Sequence, residues 1–158
     1  MLFPPDIPDD AMFLSRSNPE ELLGCYSPFG FELEGKTWPT VEHYYQGMKF
    51  TDQDYQETVR QAPTPEAARS AGRKKKGLLR PDWKKVREVI MTRALYIRCK
   101  TYPHIAEALL ETDNRVLVEN SNYDYFWGCG RDRRGSNAYG KVLMNVRKKL
   151  REEADSDT

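Results

Sequence analysis

Two histidines and three cysteines are all that this 158-residue chain offers to a transition metal or a disulfide frame. His43 and His104 are far apart, and Cys25, Cys99 and Cys129 are odd in number and widely spaced. That argues against a zinc site and points to reduced thiols in a cytosolic protein. No apolar run approaches the roughly 18 residues of a membrane span, and the opening MLFPPDIPDD lacks the apolar centre of a signal peptide. Its prolines and aspartates predict an irregular lead-in over residues 1–10. Internal repeats and linkers are also missing, and the one biased tract is a polar tail over Glu152–Thr158. These absences leave a single soluble domain, long enough to bury a core without staples.

What is present is charge, unevenly spread. Residues 1–72 carry five basic and twelve acidic side chains, residues 73–158 twenty basic and twelve acidic, for a net charge of +1. A split of this kind fits a polyanionic partner or a phosphorylated ligand, and equally fits solvated helix faces. The near-neutral pI of about 7.7 and the acidic first half weigh against a general nucleic-acid-binding module.

Hydrophobic periodicity predicts a helix-rich α+β fold with a small β-sheet. Ala11–Arg16 and Phe29–Glu34 read as short strands, the second running into a turn at Gly35, and Arg115–Glu119 as a third. Helices are predicted after Thr40, over Asp54–Gln61, and from Thr64 (with Pro65 in the first turn) to Gly72. The longest spans Pro81–Thr101, with Trp83, Val86, Ile90, Ala94 and Ile97 as its buried stripe. Pro103 interrupts it before a short continuation over His104–Glu111. The last helix runs from about Asn137 to Glu153 on an inner face of Tyr139, Val142, Leu143, Val146 and Leu150.

Two stretches carry chemistry. In GKTWPTVEHYYQGMKF, residues 35–50, a helical turn of about 100° per residue places Glu42, Gln46 and Lys49 on one edge, beside Tyr45 and Phe50. A polar edge held rigid by aromatics is what a pocket wall requires. Ordinary helix chemistry also accounts for it: Thr40 as N-cap, Glu42 favouring the dipole, Gln46 and Lys49 in solvent. On the pocket reading, the positive helix end with Lys49 nearby keeps Glu42 ionised, a base or cation stabiliser.

The second stretch, SNYDYFWGCGRDRRGSNAYGKVLM, residues 121–144, sets four glycines and three arginines between a strand and a helix that Ser136 or Asn137 can cap. This composition suits a phosphate-binding loop, and suits a flexible charged loop as well. Asp124 and Trp127 before it read either as a tuned carboxylate with a stacking ring or as an Asx turn with an anchoring Trp. In the basic segment Gly72–Gly77, the three lysines read as solvated, while Arg73 and Arg80 at its edges are better suited to ligand contacts.

Taken together these motifs resemble the YbiA-like, or NADAR, family, which includes riboflavin-intermediate N-glycosidases. The resemblance rests on Gly35-Lys36-x-Trp38-Pro39-x-x-Glu42-His43-Tyr44-x-Gln46-x-x-Lys49-Phe50. It continues through Gly72-Arg73, Arg80-x-Asp82-Trp83 and Leu117-Val118-Glu119. It closes with Asp124-x-x-Trp127-Gly128-x-Gly130, then Gly135-x-Asn137-x-x-Gly140 and Leu143-Met144. Tyr26-Ser27-Pro28-Phe29, Arg98-Cys99 and Tyr139 depart from the common pattern, which bears on substrate preference more than on chemistry.

The resemblance implies a metal-free, cofactor-free hydrolysis of a ribosyl C1–N bond. Early riboflavin intermediates bearing a 5-phosphate are the implied substrates; ADP-ribosyl-guanine in nucleosides or DNA is the alternative, and a non-catalytic ADP-ribose reader a further one. It implies catalytic roles for Glu42, Asp124 and Lys49. Its implied substrate-binding positions are Trp38, His43, Gln46, Arg73, Trp83, Trp127, Gly128, Arg131 and Asn137. Glu42 would serve the water or the cation, and Asp124 would protonate or hold the departing ring. Lys49 and the arginines of the Gly-rich loop would hold phosphate, or Lys49 would attack the open-chain sugar as a Schiff base.

Overall fold

The computed structural model describes residues 7–156, so most of the expected lead-in, residues 1–6, and the last two tail residues lie outside the described residues. The fold is α+β and mostly helical. Its strands are β1 (Met12–Leu14), β2 (Phe31–Leu33), β3 (Lys36–Trp38) and β4 (Leu117–Glu119). Its helices are α1 (Val41–Gly47), α2 (Gln53–Arg60), α3 (Pro65–Lys74), α4 (Trp83–Thr101), α5 (Pro103–Leu110) and α6 (Ala138–Ser156). The strands make two separate ladders: β1 runs parallel to β4, and β2 pairs with β3 as an antiparallel hairpin.

The parallel ladder has the larger consequence. Its register pairs Met12 with Leu117 and Leu14 with Glu119, and the Asn120 N–H donates to the Leu14 carbonyl at 2.9 Å. Chain leaving β1 therefore runs beside chain leaving β4, which brings Arg16 to Glu119 from 103 residues away: the Arg16 N–H donates to the Glu119 carboxylate at 3.2 Å.

Helix α1 lies at the centre, packed by α2, α3, α4 and β3, and all seven of its residues are buried. This is why the stretch reads so oddly: there is no solvent face for the polar side chains to occupy. Each must be satisfied inside. Thr40 caps the helix by accepting from the His43 N–H at 3.1 Å. The His43 ring lies between the Thr40 hydroxyl at 2.8 Å and the Ala62 carbonyl at 2.9 Å. Arg98, buried in α4, donates to Gly24 O and Ser27 Oγ and holds the Gly24–Ser27 turn. Within that turn the Cys25 carbonyl receives the Glu42 N–H at 3.0 Å.

Several boundaries differ from the sequence reading for local reasons. Strand β3 falls inside the GKTW motif, joined to β2 through Glu34 and Gly35, both at positive φ (57° and 73°), a turn glycine makes easily. Helix α4 starts at Trp83 because Pro81 lies in a turn, where Arg80 grips the Asp82 carboxylate and the Trp83 N–H returns to Arg80 O. Pro103 opens α5 at its first turn. In α4 the deepest face is Ile90, Met91, Ala94, Leu95, Arg98 and Cys99, with Val86 and Ile97 at its edge. The stretch expected as a polar tail is helical through Ser156.

Gly72 does not end α3; the helix continues to Lys74. Its glycine is required by proximity, since a methyl group there would overlap the Gln46 amide oxygen and stand 2.8 Å from its Cδ. Alanine gains about 1 kcal/mol in helix propensity, against an overpacking cost of about 1–3 kcal/mol. Gly72→Ala is therefore expected to leave the melting temperature within a few degrees while lowering turnover, because Gln46 must swing off Glu42 to make room. A thermal melt run beside an activity assay checks this; unchanged turnover would show that Gln46 tolerates the shift.

Candidate active site

A cavity of about 110 Å³ opens where α1, α3, the β1 exit and the loop after β4 meet. Its wall is formed by Arg16, Tyr45, Gln46, Lys49, Arg69, Arg73, Asp124 and Trp127. It adjoins a groove of about 550 Å³ that shares Arg69, Arg73 and Asp124 and continues along Ser121–Phe126. In the groove Tyr123 is 84 % exposed and Tyr125 47 % exposed.

Arg16 organises the floor. Its guanidinium faces three carboxylates: Asp124 at 2.6 Å, Glu42 at 3.8 Å and Glu119 at 3.8 Å. One positive charge against three negative leaves the cluster anionic. Burial opposes the charge on Arg16, but the Glu42 and Asp124 carboxylates beside it raise its pKa above the ordinary value. Glu42 is fully buried behind Arg16 and Gln46. Its carboxylate accepts the Gln46 Nε2–H at 2.7 Å and the Cys25 thiol at 3.3 Å. Burial pushes that thiol well above its usual pKa, so Cys25 stays protonated and serves Glu42 as a donor.

Asp124 faces the cavity directly, its side chain 24 % exposed. Oδ1 accepts the Phe126 and Trp127 N–H groups at 2.9 and 2.8 Å, and Oδ2 takes the Arg16 bond. So the Asx turn and the tuned carboxylate are one and the same group. Burial raises its pKa, but Arg16 and the two N–H donors outweigh that and hold it below the ordinary carboxylate value. A carboxyl so placed is a poor proton donor at neutral pH, which favours holding over protonating the departing ring.

Lys49 lies beyond the end of α1, since the helix stops at Gly47 and the Lys49 N–H makes a tight turn to Gln46 O. It is therefore not at the positive end of the helix, yet it lines the cavity with Gln46. Burial lowers its pKa to about 8; Glu42 pulls the other way, and Arg73 and Arg69 add to the lowering. Trp127 donates its indole N–H to Tyr45 Oη at 3.1 Å and packs edge-on against that ring.

The remaining expected positions are placed elsewhere. Trp38 is fully buried against Tyr44 and donates to Leu33 O. His43 ties α1 to Ala62, and Trp83 packs behind Tyr45. Gly128 lies against Glu119, and Asn137 clips β4 by accepting the Glu119 N–H and donating to Leu117 O. Arg131 sits on another surface depression and donates to Tyr123 Oη. The start of α6 offers no open anion nest. The N–H groups of Ser136, Asn137, Ala138 and Tyr139 are taken by the carbonyls of Tyr125, Gly128, Phe126 and Trp127.

Arg16 and Arg69 escaped the sequence reading, and Glu119 entered it only as part of a motif, with no role in the site. One signal was there: residues 1–72 hold five basic side chains, and three of them, Arg16, Lys49 and Arg69, line this cavity. Among the described residues no group of three or more His, Cys, Asp or Glu side chains could hold a metal ion, and no helix is long and apolar enough to cross a membrane.

An α+β domain with a small, buried, charge-lined cavity opening onto an aromatic groove has the form of a small-molecule active site. The family model for the NADAR domain matches residues 5–151. An N-glycosidase of Nostoc punctiforme is 42 % identical over 134 residues, covering 81 % of this chain and 86 % of its own. The N-glycosidase YbiA of Escherichia coli is 35 % identical over 138 residues, covering 87 % and 86 %. The chloroplastic riboflavin biosynthesis protein PYRR of Zea mays is 42 % identical over 140 residues, spanning 79 % of this chain and 22 % of that longer protein. The NMR structure of E. coli YbiA superposes with a TM-score of 0.83 at 33 % identity, over 94 % of this chain and 89 % of that one. The chain belongs to the NADAR family.

Proposed function

We propose that this N-glycosidase hydrolyses the C1–N ribosyl bond of a phosphorylated ribosylamino-pyrimidine, releasing ribose 5-phosphate. The supporting observation is the polarity of one cavity wall. An anionic cluster, Glu42, Asp124 and Glu119 around Arg16, forms the floor of a cavity whose wall also carries three cations, Lys49, Arg69 and Arg73. A ribosyl phosphate losing its base has the complementary pattern, with positive charge growing at C1 and the ring oxygen and fixed negative charge on the phosphate.

The sugar enters the small cavity beside Trp127, and the pyrimidine lies in the groove along the Tyr123–Phe126 segment. As the C1–N bond lengthens, the anionic cluster stabilises the oxocarbenium-like state without having to reorganise. Water then bonds to C1; its proton passes to a carboxylate, with Asp124 the one that faces the cavity, and the departing nitrogen takes up a proton. The size and open aromatic lining of the groove leave room for a larger aglycone, and on that observation ADP-ribosyl-guanosine is the second reading.

Incubation with each of the two compounds, followed by chromatography of the freed base, separates these readings. Release of base from neither would overturn the ribosyl assignment. The pKa of about 8 at Lys49 adds a second discriminant. A protonated Lys49, binding phosphate or handing a proton to the departing nitrogen, makes kcat/KM fall as pH rises through about 8. A neutral Lys49 attacking the open-chain sugar makes it rise through the same pH, with an adduct that borohydride traps.

A further inference from the structure

Three of the cations at the cavity are not closed into a salt bridge. Arg16 is matched by three carboxylates, Arg60 by Glu57, Arg80 by Asp82 and Arg93 by Glu34. Lys49, Arg69 and Arg73 make no ion pair with a described residue; Arg69 donates only to the neutral Tyr26 hydroxyl, at 3.3 Å. Arg69 and Arg73 are four residues apart on α3, so they stand one above the other on a single helix face, and both line the cavity and the groove. Their mutual crowding is felt at Lys49, where each lowers the affinity for a proton. Like charges gathered around one opening, and not closed into a salt bridge with the Asp124 that shares it, cost stability that an incoming anion returns.

We propose that Arg69 and Arg73 of α3, with Lys49, form the seat for the substrate's phosphate and make the enzyme select phosphorylated over unphosphorylated ribosyl compounds. The Gly-rich loop does not serve as this seat. Its helix-start N–H groups are consumed by the loop's own carbonyls, and Arg131 points its donor to Tyr123 outside the cavity. The seat is also correctly separated from the anionic floor: Arg69 and Arg73 sit at the shared rim of cavity and groove, while Glu42 and Glu119 are fully buried. Arginine suits the task because its planar fork meets phosphate oxygens in pairs and never loses its charge. The seat deepens the ribosyl phosphate reading above and rests on it for the identity of the anion.

The test uses Arg69→Met, Arg73→Met and the double variant, with Arg69→Lys as the charge-conserving control and Lys75→Met as a cation outside the cavity. The readout is the ratio of kcat/KM for ribosylamino-pyrimidine 5-phosphate to that for its dephosphorylated form. Each methionine variant is expected to lower this ratio about 10- to 100-fold, through KM more than kcat, since a charge-assisted hydrogen bond carries about that discrimination. Arg69→Lys should recover part of it and Lys75→Met should leave it at the wild-type value. Ribose 5-phosphate should raise the melting temperature of the wild type and not of the double variant, a readout that needs no turnover.

An unchanged ratio in the double variant, or a loss that instead follows Arg131→Met, overturns the seat. Failure of the wild type to cleave either compound, while ribose 5-phosphate still stabilises it through Arg69 and Arg73, overturns the proposed substrate and leaves the seat standing. A double variant that melts far below the wild type without ligand would show that the arginines hold the fold together, and would also overturn the seat.

Discussion

Arg16→Met is expected to lower the free energy of unfolding by about 3–5 kcal/mol at neutral pH, the cost of leaving buried carboxylates without their partner. Arg16 is 3 % exposed, and two of the acids it faces, Glu42 and Glu119, are fully buried. Methionine fills the space but supplies no charge, so two carboxylates repel one another in a medium that screens them poorly. Against a total stability of about 5–15 kcal/mol this is a large fraction, and urea denaturation at pH 7 would read it directly. Arg16→Lys should cost less, keeping the charge but losing the fork that reaches Glu42, Glu119 and Asp124 together. A change below about 1 kcal/mol in Arg16→Met would show that the ion cluster contributes little to folding.

The acid limb of the stability curve gives an independent check. The folded pKa of Asp124 lies below its unfolded value, so between the two the unfolded chain binds more protons. The Asp124 contribution is thus complete above the ordinary carboxylate value of about 3.9 and is lost as pH falls through the lower folded value. Without Arg16 much of the depression disappears, and the variant should lose less stability across that window than the wild type.

For catalysis the largest effect is expected at Glu42. Glu42→Gln keeps size and shape, and its amide oxygen can still accept from Gln46, but it removes one of the negative charges beneath the reacting carbon. Loss of one preorganised electrostatic contact to a transition state typically costs about 10²–10³-fold in kcat, with KM little moved. Asp124→Asn should fall in the same range. Because both acids act through one cluster around Arg16, the double variant should be scarcely slower than the worse single one. Fully multiplicative losses would mean that the two act separately, and a Glu42→Gln enzyme with wild-type kcat would confine Glu42 to packing.

Much of this was legible in residue order. The inner face of α6, the cap at Thr40, the start of α3 at Thr64–Pro65 and the α+β class all follow from spacing and caps, which are local properties. The edge formed by Glu42, Gln46 and Lys49 was visible too, although helical periodicity holds only as far as Gly47 and Lys49 reaches the cavity from the turn beyond. The Gly-rich loop misled for a physical reason. Glycine composition shows that backbone N–H groups could approach an anion, but not that carbonyls at Tyr125–Gly128 already occupy them.

The family motif marked Glu42, Asp124, Trp127 and Arg73 as candidate positions, because motif spacing survives without coordinates, and the fold brings Asp124, Trp127 and Arg73 to one cavity with Glu42 behind Gln46. The motif said nothing about Arg16, since nothing near Leu14–Ser17 distinguishes a surface arginine from one matched to three acids. That assignment depends on the parallel register of β1 with β4, which joins residues 103 positions apart. The choice of α3 over the loop as the phosphate seat is likewise a matter of distance. Charge can be counted along a chain, but whether a charge is neutralised depends on which acids the folded chain brings within reach.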